Sequence, residues 1–202
     1  MESRDFYLGL DISTTNIGLA LFNDKGALVE LKHLKLHTDV KTTPDTDRYL
    51  IKGDQFYKFL ISYRDHVKTT YEADIKTIFV EEPLMMSNNQ FTSALLQKFN
   101  GVCCYIIKII FGICPEMISV HEARSLFCPE FVKTKTVKGK LTKTLSFPKE
   151  IDKKEYIWKK VASMERDIQW IFNKKGDIAQ ENYDMSDAYC VGVAKLREKK
   201  IL

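Results

Sequence analysis

The chain has 202 residues, 45% of them hydrophobic, 29% charged and 11% aromatic, with only 9 Gly and 5 Pro. That size suits a single domain over residues 1–202, since folds usually split beyond roughly 250–300 residues. The composition excludes collagen, a disordered tail and a disulfide-stapled miniprotein. The net charge of +4 is unevenly spread: residues 132–160 hold ten lysines against three acids, which gives +7 and leaves −3 for the remainder. Clustered lysine suits a polyanionic partner, because each neutralised phosphate releases condensed counterions. A solvated loop would carry the same charge.

In chain order, residues 6–12 (FYLGLDI) and 16–22 (NIGLALF) are apolar runs of strand length. Asn23-Asp24-Lys25-Gly26 is a turn signal, and residues 27–36 resume with the alternation of a half-buried strand. A polar loop with Pro44 comes next. Residues 48–71 then show helical spacing through Tyr49, Leu50, Phe56, Phe59, Leu60, Tyr63 and Val67. A strand at 75–80 ends on Glu81-Glu82-Pro83, the proline stopping it. Asn88 and Asn89 are candidate caps for a helix over about 91–111, with Gly112 beyond it. Residues 117–120 predict a small strand and 122–127 a short helix. Residues 134–149, rich in Lys, Thr and Ser, predict a mobile surface loop inside a basic segment of about 132–150. Helical periodicity covers 151–172, and a last helix covers about 184–197. Three strands, then alternating helix and strand, then helices, imply an α/β domain with a mixed sheet.

The most apolar stretch, 101–114, contains Lys108 and falls short of the ~18 residues that suggest a bilayer span, so it reads as a buried helix. The acids in Met1-Glu2-Ser3-Arg4-Asp5 are unlike the cationic start of a signal peptide. Five cysteines without paired spacing (Cys103, Cys104, Cys114, Cys128, Cys190) read as free thiols in a reducing compartment.

Three places set acids against apolar elements: Asp11 at the end of the first strand, Glu81-Glu82 after Ile78-Phe79-Val80, and Asp184 with Asp187 at the start of the last helix. A charge there is costly unless paired, hydrated or bound to metal. Singly, each has an ordinary explanation: a turn aspartate, a solvated strand exit, an N-cap with an N3 carboxylate. Together they suit a hard divalent cation, which prefers oxygen ligands and retains waters for substrate phosphate.

The segments LGLDISTTNIGLALF, IFVEEPLM, ISVHEARSLF, KKEYIWKKV and YDMSDAYCVGVA, in this order, resemble the ribonuclease H-like nuclease superfamily, and more narrowly RuvC-type Holliday junction resolvases. The resemblance covers most of the chain. It implies a ribonuclease H-like fold, a mixed five-stranded sheet flanked by helices, and places the metal-binding acids on Asp11, Glu81, Asp184 and Asp187, with Glu82 second to Glu81. Lys154 matches a family lysine at the scissile region. Ser13 stands where glycine is common, Phe127 where a basic residue is common, and the basic stretch is longer than usual.

The activity this resemblance implies is that of a Mg²⁺-dependent endonuclease cutting four-way DNA junctions by paired nicks, with two ions per site and Mn²⁺ as a substitute. Asp11 would bridge the ions and Lys154 would add positive charge at the phosphate. Ser13 and Thr14 are candidate phosphate donors, or plain turn residues. Leu84, Met85, Asn88 and Asn89 suit a wedge at a branch point. Lys133, Lys135, Lys138, Lys140, Lys143 and Lys153 would track phosphates. The resemblance also implies a homodimer, with the 91–111 helix as candidate face, no nucleotide cofactor, no membrane, and residence wherever the DNA is, in a bacterial cytoplasm or a virus-infected cell.

Two other readings share these segments. LGLDISTTNIGLALFNDKG also resembles the phosphate-binding hairpin of actin-like small-molecule kinases, which need two lobes and about twice this length. A non-catalytic nucleic-acid-binding module of the same fold would not need all four acids.

Overall fold

The computed structural model describes residues 4–39, 41–83, 90–137 and 140–202, with the backbone alone at 45–46, 90–92, 135–137 and 140. Leu84, Met85, Asn88, Asn89 and Lys138 lie outside the described residues, as do the side chains of Lys135 and Lys140.

Five strands form the central sheet: β1 (Arg4–Ile12), β2 (Asn16–Phe22), β3 (Leu28–Lys35), β4 (Ala73–Glu82) and β5 (Glu116–Ser119), in the order β3-β2-β1-β4-β5. The first three are antiparallel neighbours, while β4 runs parallel to both β1 and β5. This is the mixed five-stranded sheet that the sequence predicts.

Side chains alternate across a strand, and the alternation separates core from site. On β1, Leu8, Leu10 and Ile12 enter one core with Phe56 and Leu60 of α1 (Asp45–Tyr71) and Phe99, Cys103 and Ile107 of α2 (Gln90–Phe111). The other face of the sheet, with Phe22 and Phe79, packs on α3 (Val120–Phe127), α4 (Lys153–Met164) and α5 (Gln180–Glu198) through Phe127, Ile157, Val161, Ala188 and Val191. Tyr7, Gly9 and Asp11 belong to that second face by strand period. Burying each of these large side chains contributes about 1.5–3 kcal/mol.

Two glycines let α5 lie directly on the sheet. A Cβ at Gly9 would sit 2.5 Å from the carbonyl oxygen of Ala188, and one at Gly18 would collide with the backbone carbonyl of Asp184. Asp11 and Gly18 are register partners. The missing side chain at Gly18 therefore brings the α5 backbone down beside Asp11.

Four expectations are corrected. The final helix begins at Gln180, after Ala179, so Asp184 and Asp187 lie in its interior and are not its cap. Asn182, which is fully buried, fixes this start: its amide accepts from the Ile171 N–H at 3.0 Å and donates to the Ile171 carbonyl at 2.5 Å. The basic segment is not a loop but a hairpin of β6 (Val132–Val137) and β7 (Lys140–Leu145). Its Lys/Thr alternation is strand periodicity, and the register sets Lys133 opposite Thr144, Lys135 opposite Thr142 and Lys143 opposite Thr134, so like charges are not directly opposed. The helix expected over 151–172 ends at Met164, and Phe172 instead bridges Ile178. The apolar stretch does not fall short of a span: within the helix, which lies where expected, residues 93–111 have the length and hydropathy of one, and the helix's inner face is part of the first core. All five cysteines are free thiols.

Candidate active site

An open cleft of about 570 Å³ lies where β1 and β4 end against α5, and Asp11, Glu81, Asp184 and Asp187 all line it. Each acid arrives by a local rule. Asp11 is two residues beyond Gly9 on the α5 face of β1. Glu81 is two beyond Phe79, which packs in the second core, and pairs in register with Ile118 of that core. Asp184 and Asp187 are three apart on one helix and share a face. Glu82 also lines the cleft but is solvent-exposed.

The turn after Asp11 is closed by Ser13. Its hydroxyl accepts from the Asn16 N–H at 2.9 Å and donates to the Asn16 carbonyl at 2.8 Å. Turn chemistry thus occupies this hydroxyl. The Thr14 carbonyl accepts from Lys52 Nζ of α1 at 2.6 Å, which fixes the turn from the other side. Below β4, Asn100 of α2 donates to the Glu81 carbonyl at 3.4 Å.

Cations face the acids. Arg124 Nη2 of α3 donates to Asp187 Oδ1 at 3.2 Å, and Lys154 Nζ stands 3.9 Å from Asp187 Oδ2. Lys154 occupies the first turn of α4, where Asp152 caps the helix by accepting from the Glu155 N–H at 2.9 Å. A lysine there opposes the helix dipole, and its carboxylate partner offsets the cost. On the far side, Gln180 donates to Asp184 Oδ1 at 3.4 Å, and His33 of β3 places Nε2 3.7 Å from Asp184 Oδ2.

The acids outnumber the cations, and this imbalance sets their proton affinities. Desolvation, then repulsion from Glu81, Asp187 and Asp184, lifts Asp11 well above the ordinary carboxylate range. Burial and then Asp187 push Glu81 up to about 7 against the pull of Arg124 and Lys154. Burial raises Asp184, with Lys154, Gln180 and His33 opposing. Burial works against the charge of Arg124, but Asp187 and Glu81 outweigh it and raise its pKa.

In its chemistry, though not in its present spacing, the donor set suits a hard divalent cation. It consists of carboxylate oxygens, it is short of positive charge, and Asp184 Oδ2 is buried without a hydrogen-bond partner. Among the described residues, no group of three or more His, Cys, Asp or Glu side chains is gathered tightly enough to hold an ion. Arg124 and Lys154 lean on Asp187 instead.

Of the other residues expected at the site, Lys133 and Lys143 are exposed on the hairpin and Thr14 is half-buried in the Ser13 turn. Lys153 borders a second cavity beside the cleft. Sequence reasoning missed Arg124, His33, Gln180 and Asn100. Arg124 had a signal: it is a lone cation one turn before buried Phe127, on a helix that also buries Ala123.

No protein-family model matches the chain, and no curated protein matches it significantly. Among solved structures, RuvC of T. thermophilus in complex with Holliday junction substrate overlays with a TM-score of 0.56 at 10% identity, over 96% of this chain and 94% of that one. A second Thermus thermophilus RuvC structure gives 0.53 at 12% identity, over 96% and 95%. The Aquifex aeolicus Ppx/GppA phosphatase overlays less well, with a TM-score of 0.41 at 12% identity over 85% and 67%. The fold is therefore ribonuclease H-like, a mixed five-stranded sheet with flanking helices. Overlay with RuvC runs nearly end to end in both chains.

Proposed function

We propose that this protein is a divalent-metal-dependent endonuclease that resolves four-way DNA junctions by paired nicks. The observation that carries the reading is the convergence of Asp11, Glu81, Asp184 and Asp187 on one cleft, within a fold that overlays a RuvC bound to Holliday junction substrate. Mg²⁺, or Mn²⁺ in its place, would be held by these four acids and would supply charge neutralisation and an activated water, two ions sharing the work.

The chain's own residues do the rest. Asp11 and Asp187 each interact with all three of the other acids, but Asp187 is engaged by Arg124 and Lys154, so Asp11 is the one suited to a bridging role. Asn100 and the Ser13 turn hold the ends of β4 and β1 still. Lys154, exposed beside Asp187, turns toward the phosphate and stabilises the negative charge that develops there. The hairpin lysines contact backbone phosphates, giving affinity without sequence choice. Leu84, Met85, Asn88 and Asn89 join this reading by their chemistry alone, as a wedge at the branch point. Two symmetric nicks need two sites, and the outer side of α2, with Tyr105 66% and Ile109 57% exposed, is the face proposed for a homodimer.

The test is nicking of a labelled four-way junction with Mg²⁺. Wild type is expected to cut two opposed strands symmetrically, and Asp11→Asn and Asp187→Asn to cut neither. Binding without cleavage by wild type in Mg²⁺ and in Mn²⁺ would leave only a junction-binding module.

A further inference from the structure

Beside the acidic cleft lies a second cavity of about 370 Å³, lined by Arg124, His121, Ser146, Phe147 and Lys153 together with Val120 and Leu145. The two spaces share Val120 and Arg124 as a wall but are opposite in charge. Among the described residues the cleft is lined by five carboxylates, whereas no acid lines this cavity.

Its donors are set by contacts made elsewhere. His121 Nε2 accepts from the Leu145 N–H at 3.2 Å, which ties β7 to α3. A ring that accepts at Nε2 carries its proton on Nδ1, so that nitrogen is a donor. Arg124 uses Nη2 on Asp187, while its Nε is buried with no hydrogen-bond partner. A guanidinium has five N–H donors, and an unmatched buried one calls for an acceptor. Lys153 is the first residue of α4, and Val120 and His121 begin α3, so two helix starts border the space. Helix starts carry partial positive charge. Phe147 stays in place by packing on Phe131, ring centroids 4.5 Å apart, and offers an apolar wall.

We infer that this cavity is an anion subsite for the strand being cut, holding one backbone phosphate that flanks the scissile one, with its sugar against Phe147. The inference rests on the endonuclease reading and deepens it. Arg124 then joins the two spaces, with Nη2 on a metal-site acid and another of its nitrogens toward a neighbouring phosphate. A strand seated in the cavity is thereby registered against the acids.

Four-way junctions carrying a single neutral methylphosphonate test this, with the replacement moved one linkage at a time across the two on either side of the nick. Affinity is measured in Ca²⁺ on the full chain. One linkage is expected to weaken wild-type binding about tenfold, as loss of a charge-assisted contact should. Lys153→Ala and Ser146→Asp should weaken binding to the unmodified junction similarly and show no further loss at that linkage. Lys153 is exposed, so its variant should fold normally. Absence of a sensitive flanking linkage, or losses that simply add in the variants, would overturn the inference while leaving Mg²⁺-dependent nicking intact. A wild type that binds but never nicks would sink the nuclease reading, and the same scan run over every linkage next to the branch point would still show whether one phosphate is seated here.

Discussion

His33 Nε2 and Asp184 Oδ2 face each other across 3.7 Å, both buried, and neither makes a hydrogen bond. They reach this position from different elements, β3 and the interior of α5, because Gly18, the register partner of His33, has no side chain to hold the helix away. Carboxylates that bind metal are usually oriented by a neighbouring donor, whose loss costs 10–100-fold in metal affinity, and His33 is the donor within reach once Asp184 Oδ2 closes the remaining gap. His33→Ala is therefore expected to weaken Mn²⁺ binding by about that factor in titration calorimetry. His33→Gln, which keeps a donor at similar reach, should recover most of it. Equal affinity in all three proteins would remove His33 from the site.

Asp11 sets stability against activity. Its charge is opposed by desolvation and by three neighbouring carboxylates. Asp11→Asn should raise the melting temperature of the metal-free protein by a few degrees, as relief of about 1 kcal/mol does at this size. The same change should abolish junction nicking, by roughly a thousandfold or more, since it removes the proposed bridging ligand. A lower melting temperature would contradict the crowded-charge account.

The metal-free protein should also lose stability as pH rises. Glu81 titrates near 7 in the folded chain against an ordinary 4.5, so the native state binds more protons than the unfolded state between those values. Stability from this group is fully present below about 4.5 and is lost as pH climbs through 7. In thermal melts from pH 4 to 8, Glu81→Gln should flatten the decline, matching wild type at pH 4 and exceeding it at pH 8. Saturating Mg²⁺ should have the same flattening effect on wild type.

Gly18→Ala tests how closely α5 lies on the sheet. The new methyl group would meet the Asp184 backbone carbonyl, an atom that cannot turn aside as a side chain can. Overpacking of this kind typically costs 1–3 kcal/mol. Denaturant unfolding should show that loss, and nicking should fall further than stability does, because the displaced segment carries Asp184 itself.

Much of this was legible in the sequence, where local periodicity and tertiary position agree. The strand period that buries Leu8 and Leu10 also places Asp11, and the Ile78-Phe79-Val80 run does the same for Glu81. The start of the last helix is not legible locally, because Asp184 and Asp187 have the spacing of a cap. The real start depends on Asn182 gripping Ile171, a contact across 11 residues that no local pattern encodes. The hairpin was hidden by its lysines, whose abundance suggested a loop, although Thr and Lys alternate there at strand period. Arg124 and His33 carry little local signal because each is an isolated polar residue, and only the packing of α3 and β3 around α5 reveals what it faces.

The register of that hairpin has one more consequence. In its register a lysine stands opposite threonine or valine, never a second lysine, so no directly opposed pair of like charges works against the ribbon's pairing. Adding salt should leave the ribbon's shape unchanged while loosening its grip on any polyphosphate chain. Architecture and adhesion in this segment therefore answer to ionic strength separately.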